Sequence, residues 1–262
     1  MCQGIHSSLS SPNSSKIPSH VFLKISLSSL SLSLLSFCLL LPLAASYSPY
    51  AKCGGATLPP NDPYNTSITE LLGALAVDTP PTGYAAGTLG QGVNQIYGLA
   101  LCRGDLNSTA CQACVERSNN NMVKSCPNSQ AIVFDDECVV RYSASNFIGQ
   151  VDHSDWTLFG GQVNASNQAT FNQSLTALLS NVSQTAYANP KLYGTGSVNI
   201  GSSTSIFALI QCTKDLSPVD CESCVVQLTT WVPQYLFGKN GGKIVGGSCS
   251  VRFEIFQFYS SG

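Results

Sequence analysis

The sequence predicts an α+β fold of two tandem small domains, each with two helices on one face of a small antiparallel sheet and stapled by disulfide bonds. The main observation is a repeated motif: Cys-x8-Cys-x2-Cys occurs twice, and each cysteine is displaced by 110 residues. Similar helix and strand patterns surround both motifs, which indicates a tandem duplication. The motif cysteines are Cys102, Cys111 and Cys114 in copy one and Cys212, Cys221 and Cys224 in copy two.

Each copy opens with an amphipathic helix, because apolar residues recur at i, i+3, i+4 and i+7. A Gly/Pro/Thr-rich stretch follows each helix and is predicted to be a loop. A short apolar run then predicts a strand at residues 95–102 and 205–212. The helix stripes are Ile68, Leu71, Leu72 and Leu75 in copy one and Leu175, Leu178, Leu179 and Val182 in copy two.

A second helix and a hairpin complete each copy. Ser217 is a good N-cap and Pro218 suits the first helical position, while Ser108 is the expected cap in copy one. The hairpin strands are predicted at residues 131–134 and 137–142, and again at 243–245 and 248–256. Apolar residues alternate with polar ones in the last strand, so one face of the sheet is expected to be buried.

The N-terminal region predicts a secretory signal peptide over residues 1–46. Basic residues precede an apolar, serine-laced run at residues 25–43, and small residues follow it, with cleavage expected after Ala45 or Ser46. A signal anchor and a plastid transit peptide are the alternatives. We then expect domain 1 at 47–145, a linker at 146–161 and domain 2 at 162–262.

The remaining sequence indicates a secreted, non-nucleic-acid-binding protein. Residues 47–262 carry ten Lys and Arg against fourteen Asp and Glu, so no basic face for nucleic acid is expected. No second apolar span follows the signal, and neither a lipid anchor nor a kinase domain is expected. The extracellular space is therefore the expected location. The glycosylation candidates are Asn65, Asn107, Asn164, Asn172 and Asn181.

The cysteine count favours five disulfides. Copy two lacks counterparts of Cys53 and Cys126, around Gly160 and Leu236, and this joint loss indicates that Cys53 pairs with Cys126. Bridging two cysteines three apart on one helix is geometrically awkward, which disfavours one of the three pairings left in each copy. Of the rest, the sequence favours bridges from strand to helix and from helix to hairpin. These are Cys102–Cys111, Cys114–Cys138, Cys212–Cys221 and Cys224–Cys249. Because copy two has one staple fewer, it is expected to be the weaker domain.

Catalysis, a metal and a cofactor are not expected. His153 is the one histidine in residues 47–262, which removes the usual Ser-His and Cys-His nucleophile systems. The acidic run 135–137 lies at a hairpin turn, where we expect solvated side chains rather than a glycosidase pair. A Cys-x2-Cys redox pair and a zinc site made of four cysteines are the alternatives to structural disulfides.

The sequence resembles one plant family, the ginkbilobin-homologous salt-stress-response/antifungal domain. The resemblance rests on the tandem cysteine motif, the segment 97–106 around its first cysteine and the segment 138–143 after the hairpin turn. Two copies behind a signal peptide resemble a cysteine-rich repeat secretory protein. The resemblance implies a five-stranded antiparallel sheet with two helices per domain, and the same disulfide connectivity. Related single-domain proteins bind mannose and inhibit fungal growth. Other relatives are receptor-kinase ectodomains or line plasmodesmata.

The resemblance also implies where a mannose site would lie. The family uses an Asn after the first cysteine, an Arg six residues before the last cysteine and a Glu five residues after it. Copy two has Lys243 in place of the Arg and keeps the Glu as Glu254, so these are the candidate carbohydrate-binding residues. The alternative is a solvent-facing ion pair on adjacent strands. Copy one has Gly54, Ile132 and Ser143 at the three places.

Two functions follow as hypotheses. The first is an apoplastic defence protein with antifungal activity and weak binding to mannose-type glycans. The second is a non-lectin module that binds cell-wall or receptor proteins through its sheet surfaces.

Overall fold

The computed structural model describes residues 49–201 and 204–260, which form one compact unit. The expected signal peptide lies outside the described residues. Each copy contains a five-stranded antiparallel sheet and two helices, which confirms the predicted fold class. The strand orders are β1-β4-β5-β3-β2 and β6-β9-β10-β8-β7, so the two sheets have the same topology.

The elements of copy one are β1 (Tyr50–Thr57), α1 (Pro63–Asp78), β2 (Tyr84–Leu89), β3 (Ile96–Cys102), α2 (Ser108–Ser125), β4 (Asn128–Phe134) and β5 (Cys138–Ser143), with a 3-10 turn at Gly92–Asn94. Those of copy two are β6 (Trp156–Gly160), α3 (Gln168–Ala188), β7 (Tyr193–Asn199), β8 (Ser205–Cys212), α4 (Pro218–Tyr235), β9 (Gly242–Gly246) and β10 (Cys249–Glu254). None of the helices in these described ranges is long and apolar enough to cross a membrane.

The helices form where the apolar spacing predicts them, and one of the two predicted N-caps is confirmed while the other is wrong by one residue. The stripes on α1 and α3 are buried against the sheets. Ser217 caps α4 and accepts a hydrogen bond from the Asp220 N–H, as predicted. In copy one the prediction of Ser108 was wrong by one residue, because the Asn107 side chain accepts the bond from the Ala110 N–H and caps α2.

Three strands lie in segments that the sequence analysis treated as connections. β2 and β7 occupy the Gly/Pro/Thr-rich stretches after the first helices and form one edge of each sheet. β6 lies inside the range 146–161 that we expected to be linker, and it pairs with β9 at the other edge. The segment between the two sheets, from β5 to β6, is therefore shorter than expected.

Five disulfides tie the helices to the sheets: Cys53–Cys126, Cys102–Cys111, Cys114–Cys138, Cys212–Cys221 and Cys224–Cys249, with Cα–Cα distances between 5.2 and 6.1 Å. They are the five pairs expected from the sequence. In copy two, the buried Leu236 side chain occupies the place of the absent bridge, since its Cδ2 atom lies 3.3 Å from an ideal Cβ built on Gly160. Apolar packing therefore fills the space that a disulfide fills in copy one.

The two sheets pack against each other through the faces that their helices leave uncovered. The centre of this interface is apolar, and ion pairs lie around it, including Lys52–Asp155 at 2.8 Å and Arg141–Asp152 at 2.7 Å. The Gln211 amide of copy two donates to the Cys102 carbonyl of copy one at 3.0 Å. The central sheet residues are thus covered on both sides. The apolar centre comprises Ile132, Phe134 and Val139 of copy one with Phe159 and Val245 of copy two.

Candidate functional site

Lys243 lies on β9 and points into the interface between the copies. Its ammonium donates to the Asp135 carbonyl at 2.8 Å and lies 3.6 Å from the Asp136 carboxylate. The side chain is 12% exposed, and burial lowers the pKa of Lys243 to about 8, although the Asp136 charge opposes that shift. The cation is therefore held by copy one rather than presented to solvent.

Glu254 lies at the end of β10 and pairs with a different cation. The Arg252 Nε atom lies 3.1 Å from the Glu254 carboxylate, and an Arg252 terminal nitrogen lies 3.5 Å from Asp136. Burial raises the pKa of Glu254, and the Arg252 charge opposes this. The expected solvent-facing pair between Lys243 and Glu254 was therefore wrong. Asp136 and Arg252 lie between the two residues, and the four charges form one network.

A small cavity of about 160 Å³ adjoins this network. Glycine backbones form much of its wall, and a Cβ atom at Gly241 would collide with the Glu254 carboxylate. The glycines therefore allow the carboxylate to approach the chain. The corresponding place in copy one is filled, because Ile132 is buried in the interface and a Cβ at Gly54 would meet the Gln130 side chain.

The sequence analysis expected the acidic run 135–137 to be solvated, but Asp135 is buried and only Asp136 and Glu137 are partly exposed. Asp135 is 4% exposed, and Arg117 of α2 clamps its carboxylate with two bonds of 2.9 and 3.0 Å. Arg117 also contacts Glu137 at 3.3 Å. These carboxylates bind the protein's own cations and do not flank an open cleft of the kind that glycosidases need.

One grouping of metal-ligand atoms occurs in the part of the chain that the structure describes. It consists of Cys114, Asp135 and Glu137. The Cys114 sulfur is in a disulfide with Cys138, and Arg117 holds both carboxylates, so the donor set does not fit a metal ion.

The five glycosylation candidates differ in how free their side-chain amides are. Asn65 and Asn172 are half-buried, and their amide nitrogens, the atoms to which a glycan would attach, donate to backbone carbonyls at 2.8 and 2.6 Å. The other three side chains are exposed. They are Asn107, Asn164 and Asn181.

Sequence reasoning missed Arg252 and Asp136 as partners of the candidate residues. The missed signal lies in copy one, where Ile132 and Phe134 alternate with Ala131 and Val133 and make both faces of β4 apolar. A strand that is apolar on both faces is typical of a sheet covered on both sides. That pattern could have shown that the second face of the sheet is buried.

The sequence of each copy matches one known protein family. The sequence model of the family described as salt stress response/antifungal matches residues 52–145 and again residues 160–255. The chain belongs to this family. An antimicrobial ginkbilobin-2-like protein from Castanea crenata is 38% identical over 196 residues, which cover 74% of this chain and 81% of that protein.

Two further relatives come from Arabidopsis thaliana. Cysteine-rich repeat secretory protein 38 is 38% identical over 198 residues, which cover 74% of this chain and 78% of that protein. The crystal structure of the tandem DUF26 ectodomain of the cysteine-rich receptor-like protein PDLP8 superimposes with a TM-score of 0.69 at 20% identity, covering 79% of this chain and 98% of that one. This family member thus shares the tandem ectodomain fold and resembles secreted cysteine-rich plant proteins.

Proposed function

We propose that the chain is an apoplastic plant defence protein that acts without catalysis, as a recognition module for other extracellular proteins. The observation that carries this proposal is the engagement of Lys243 by Asp135 and Asp136 across the interface. The residue best placed for sugar recognition is already bound by the protein itself. Helix surfaces and sheet edges remain for contacts with a partner.

The similarity to an antimicrobial relative supports a role against fungi and supplies the assay. Growth of fungal hyphae would be measured with the secreted protein, with and without excess mannose. We expect inhibition that mannose does not relieve and that Lys243→Ala with Glu254→Ala leaves unchanged. Inhibition that is abolished by mannose and by the double variant would instead show a lectin mechanism. An absence of growth inhibition would remove the antifungal role.

Mannose binding at Lys243 and Glu254 is the second candidate function. The 160 Å³ cavity beside them and their positions in the family motif favour it. A mannan pull-down and a glycan array test this directly. Binding to mannose glycans that is lost in the double variant would establish the site, whereas no binding, or binding unchanged by the variant, would exclude it.

The non-catalytic part of the proposal has its own test. Purified protein would be incubated with β-glucan, chitin and mannan, and release of reducing ends would be measured. We expect none, because the acidic side chains near the candidate site are paired with Arg117, Lys243 and Arg252. Hydrolysis of any of the three polymers would contradict the proposal.

A further inference from the structure

A second cavity, of about 280 Å³, lies between the two copies on another side of the interface. Residues 80–83 and 102–104 of copy one form part of its wall, together with residues 106–108 at the start of α2. Copy two contributes Gln211 and two cations, Lys191 and Lys214. The cavity exists only because the two copies are packed together, so neither copy contains the complete site.

Lys191 and Lys214 bring positive charge into this cavity without a matching acid. Burial and the nearby Lys191 charge both lower the pKa of Lys214. The Lys214 ammonium donates to the Thr82 carbonyl at 2.8 Å, which leaves two of its N–H groups for another acceptor. No Asp or Glu belongs to the cavity wall among the residues that the structure describes. Two like charges held together in this way are stabilised by a bound anion.

The nearby acids, Asp105 and Asp215, lie outside the cavity wall. Arg103 and the Ser260 N–H hold the Asp105 carboxylate. One oxygen of the Asp215 carboxylate accepts from the Gly149 N–H at 2.7 Å, and the other is buried without a hydrogen-bond partner among the described residues. Because Arg103 is neutralised by Asp105, Lys191 and Lys214 are the main source of positive potential in the cavity.

The rest of the wall suits a sugar ring that carries a carboxylate. Pro80, Pro81 and Leu106 offer apolar surface, and Ser108 offers a hydroxyl group. The volume of about 280 Å³ is large enough for a single sugar ring. We infer that this cavity binds an acidic sugar, a uronic acid, with its carboxylate between Lys191 and Lys214. This inference goes beyond the proposed function and does not depend on it.

The test measures binding of oligogalacturonate by calorimetry at low salt, with mannose oligomers and inorganic phosphate as comparison ligands. We expect oligogalacturonate to bind, mannose oligomers not to bind at this site, and affinity to fall as salt is raised. Lys191→Gln with Lys214→Gln should weaken oligogalacturonate binding at least tenfold. Lys124→Gln with Lys239→Gln removes the same charge from surface lysines and should change the affinity less than twofold.

Three outcomes would overturn the inference. They are an absence of oligogalacturonate binding at low salt, an equal loss of affinity in both double variants, and binding of phosphate without binding of oligogalacturonate. The last two would indicate a general charge effect and a plain anion site, respectively. Melting temperatures of both double variants without ligand show whether a lost affinity reflects a damaged fold.

The glycosylation candidate Asn107 lies in the wall of the same cavity and must be controlled. A glycan there would lie next to the bound sugar. Thr109→Ala removes the glycosylation sequence and leaves the Asn107 cap of α2 intact. The binding experiment is therefore run in this background as well, and oligogalacturonate binding is expected to persist or to strengthen. Loss of binding in the Thr109→Ala protein would place the sugar contact on the glycan and contradict the inference.

Discussion

Arg117 and Asp135 join helix α2 to the hairpin of copy one. The Asp135 side chain is 3% exposed, while that of Arg117 is 41% exposed. A buried carboxylate that loses its cation is strongly destabilising, whereas the loss of both charges costs less. Removing Arg117 alone should therefore destabilise the fold more than removing both charges.

We predict that Arg117→Met lowers the free energy of unfolding by about 1–3 kcal/mol, discounted for the solvent exposure of Arg117. Chemical denaturation would measure it. Arg117→Met combined with Asp135→Asn is the matched control and should recover part of the loss. A double variant that is less stable than the single one would contradict this explanation.

Lys243 gives a pH-dependent prediction. Its folded pKa of about 8 lies below the usual lysine value of 10.5, so the unfolded chain holds the proton more tightly. Stability contributed by this residue therefore rises with pH from about 8 towards 10.5, and the penalty is fully present below pH 8.

Lys243→Met should remove this dependence. Unfolding free energies of both proteins would be measured between pH 7.5 and 9.5, and the difference between them should shift in favour of the native lysine as pH rises. Lys239→Met, at a surface lysine that donates to Asn164, serves as the control and should show no such trend. A pH-independent difference for Lys243→Met would show that its ammonium is not destabilised by burial.

At the scale of elements, the sequence was most informative where apolar residues recur at a regular spacing along one face of a helix or strand. The stripe Ile68, Leu71, Leu72 and Leu75 predicted the buried face of α1, because the helix period alone determines which residues share a face. It was least informative for β2 and β7. Each pairs with the next strand along the chain, β3 or β8, but its glycine-rich composition lacks the apolar alternation typical of a strand. In β7, Gly194 and Gly196 allow a close approach to α3, so the strand is set by packing that the sequence pattern does not show.

The candidate site was harder to predict for a related reason. The family motif placed Lys243 and Glu254 on adjacent strands, and the structure keeps them there. Their partners, however, are set by the packing of one sheet against the other. Asp136 reaches Lys243 across 107 residues of sequence, and no local pattern encodes that contact.

Copy two can be tested with an engineered bridge at the position where Leu236 replaces the disulfide of copy one. Gly160→Cys with Leu236→Cys should form a sixth disulfide and raise the melting temperature by about 2–6 °C, because cross-linking gains more than the lost Leu236 packing removes. Mass spectrometry would show the bridge and calorimetry its effect. The control, Gly160→Ser with Leu236→Cys, cannot form the bridge and should melt below the native protein. A reduced thiol pair in the double-cysteine protein would disprove the proposed equivalence with Cys53 and Cys126.

At the scale of the whole molecule, the sheet-to-sheet interface is expected to make the two copies unfold together. Phe134 is 1% exposed and lies between the sheets rather than beneath the helices. Phe134→Ala should therefore cost about 3–5 kcal/mol. It should also split a single calorimetric transition into two.

Val93→Ala is the control for that experiment, since Val93 is 95% exposed and its variant should melt like the native protein. A single, undivided transition in Phe134→Ala would show that the copies remain coupled without this contact.

Hydrogen exchange on the Phe134→Ala protein would then test which copy opens first. We expect copy two, which has one disulfide fewer, although Leu236 and the contact of Trp156 with Trp231, with ring centroids 4.7 Å apart, strengthen it.

The mutual covering of the two sheets has an evolutionary consequence. Substitutions at Ile132 or Val245 must suit a neighbour encoded more than 100 residues away, so the repeats are constrained to change together there. A gene that retained only one repeat of this chain would leave these apolar side chains exposed, which favours self-association or selects for polar replacements at these positions.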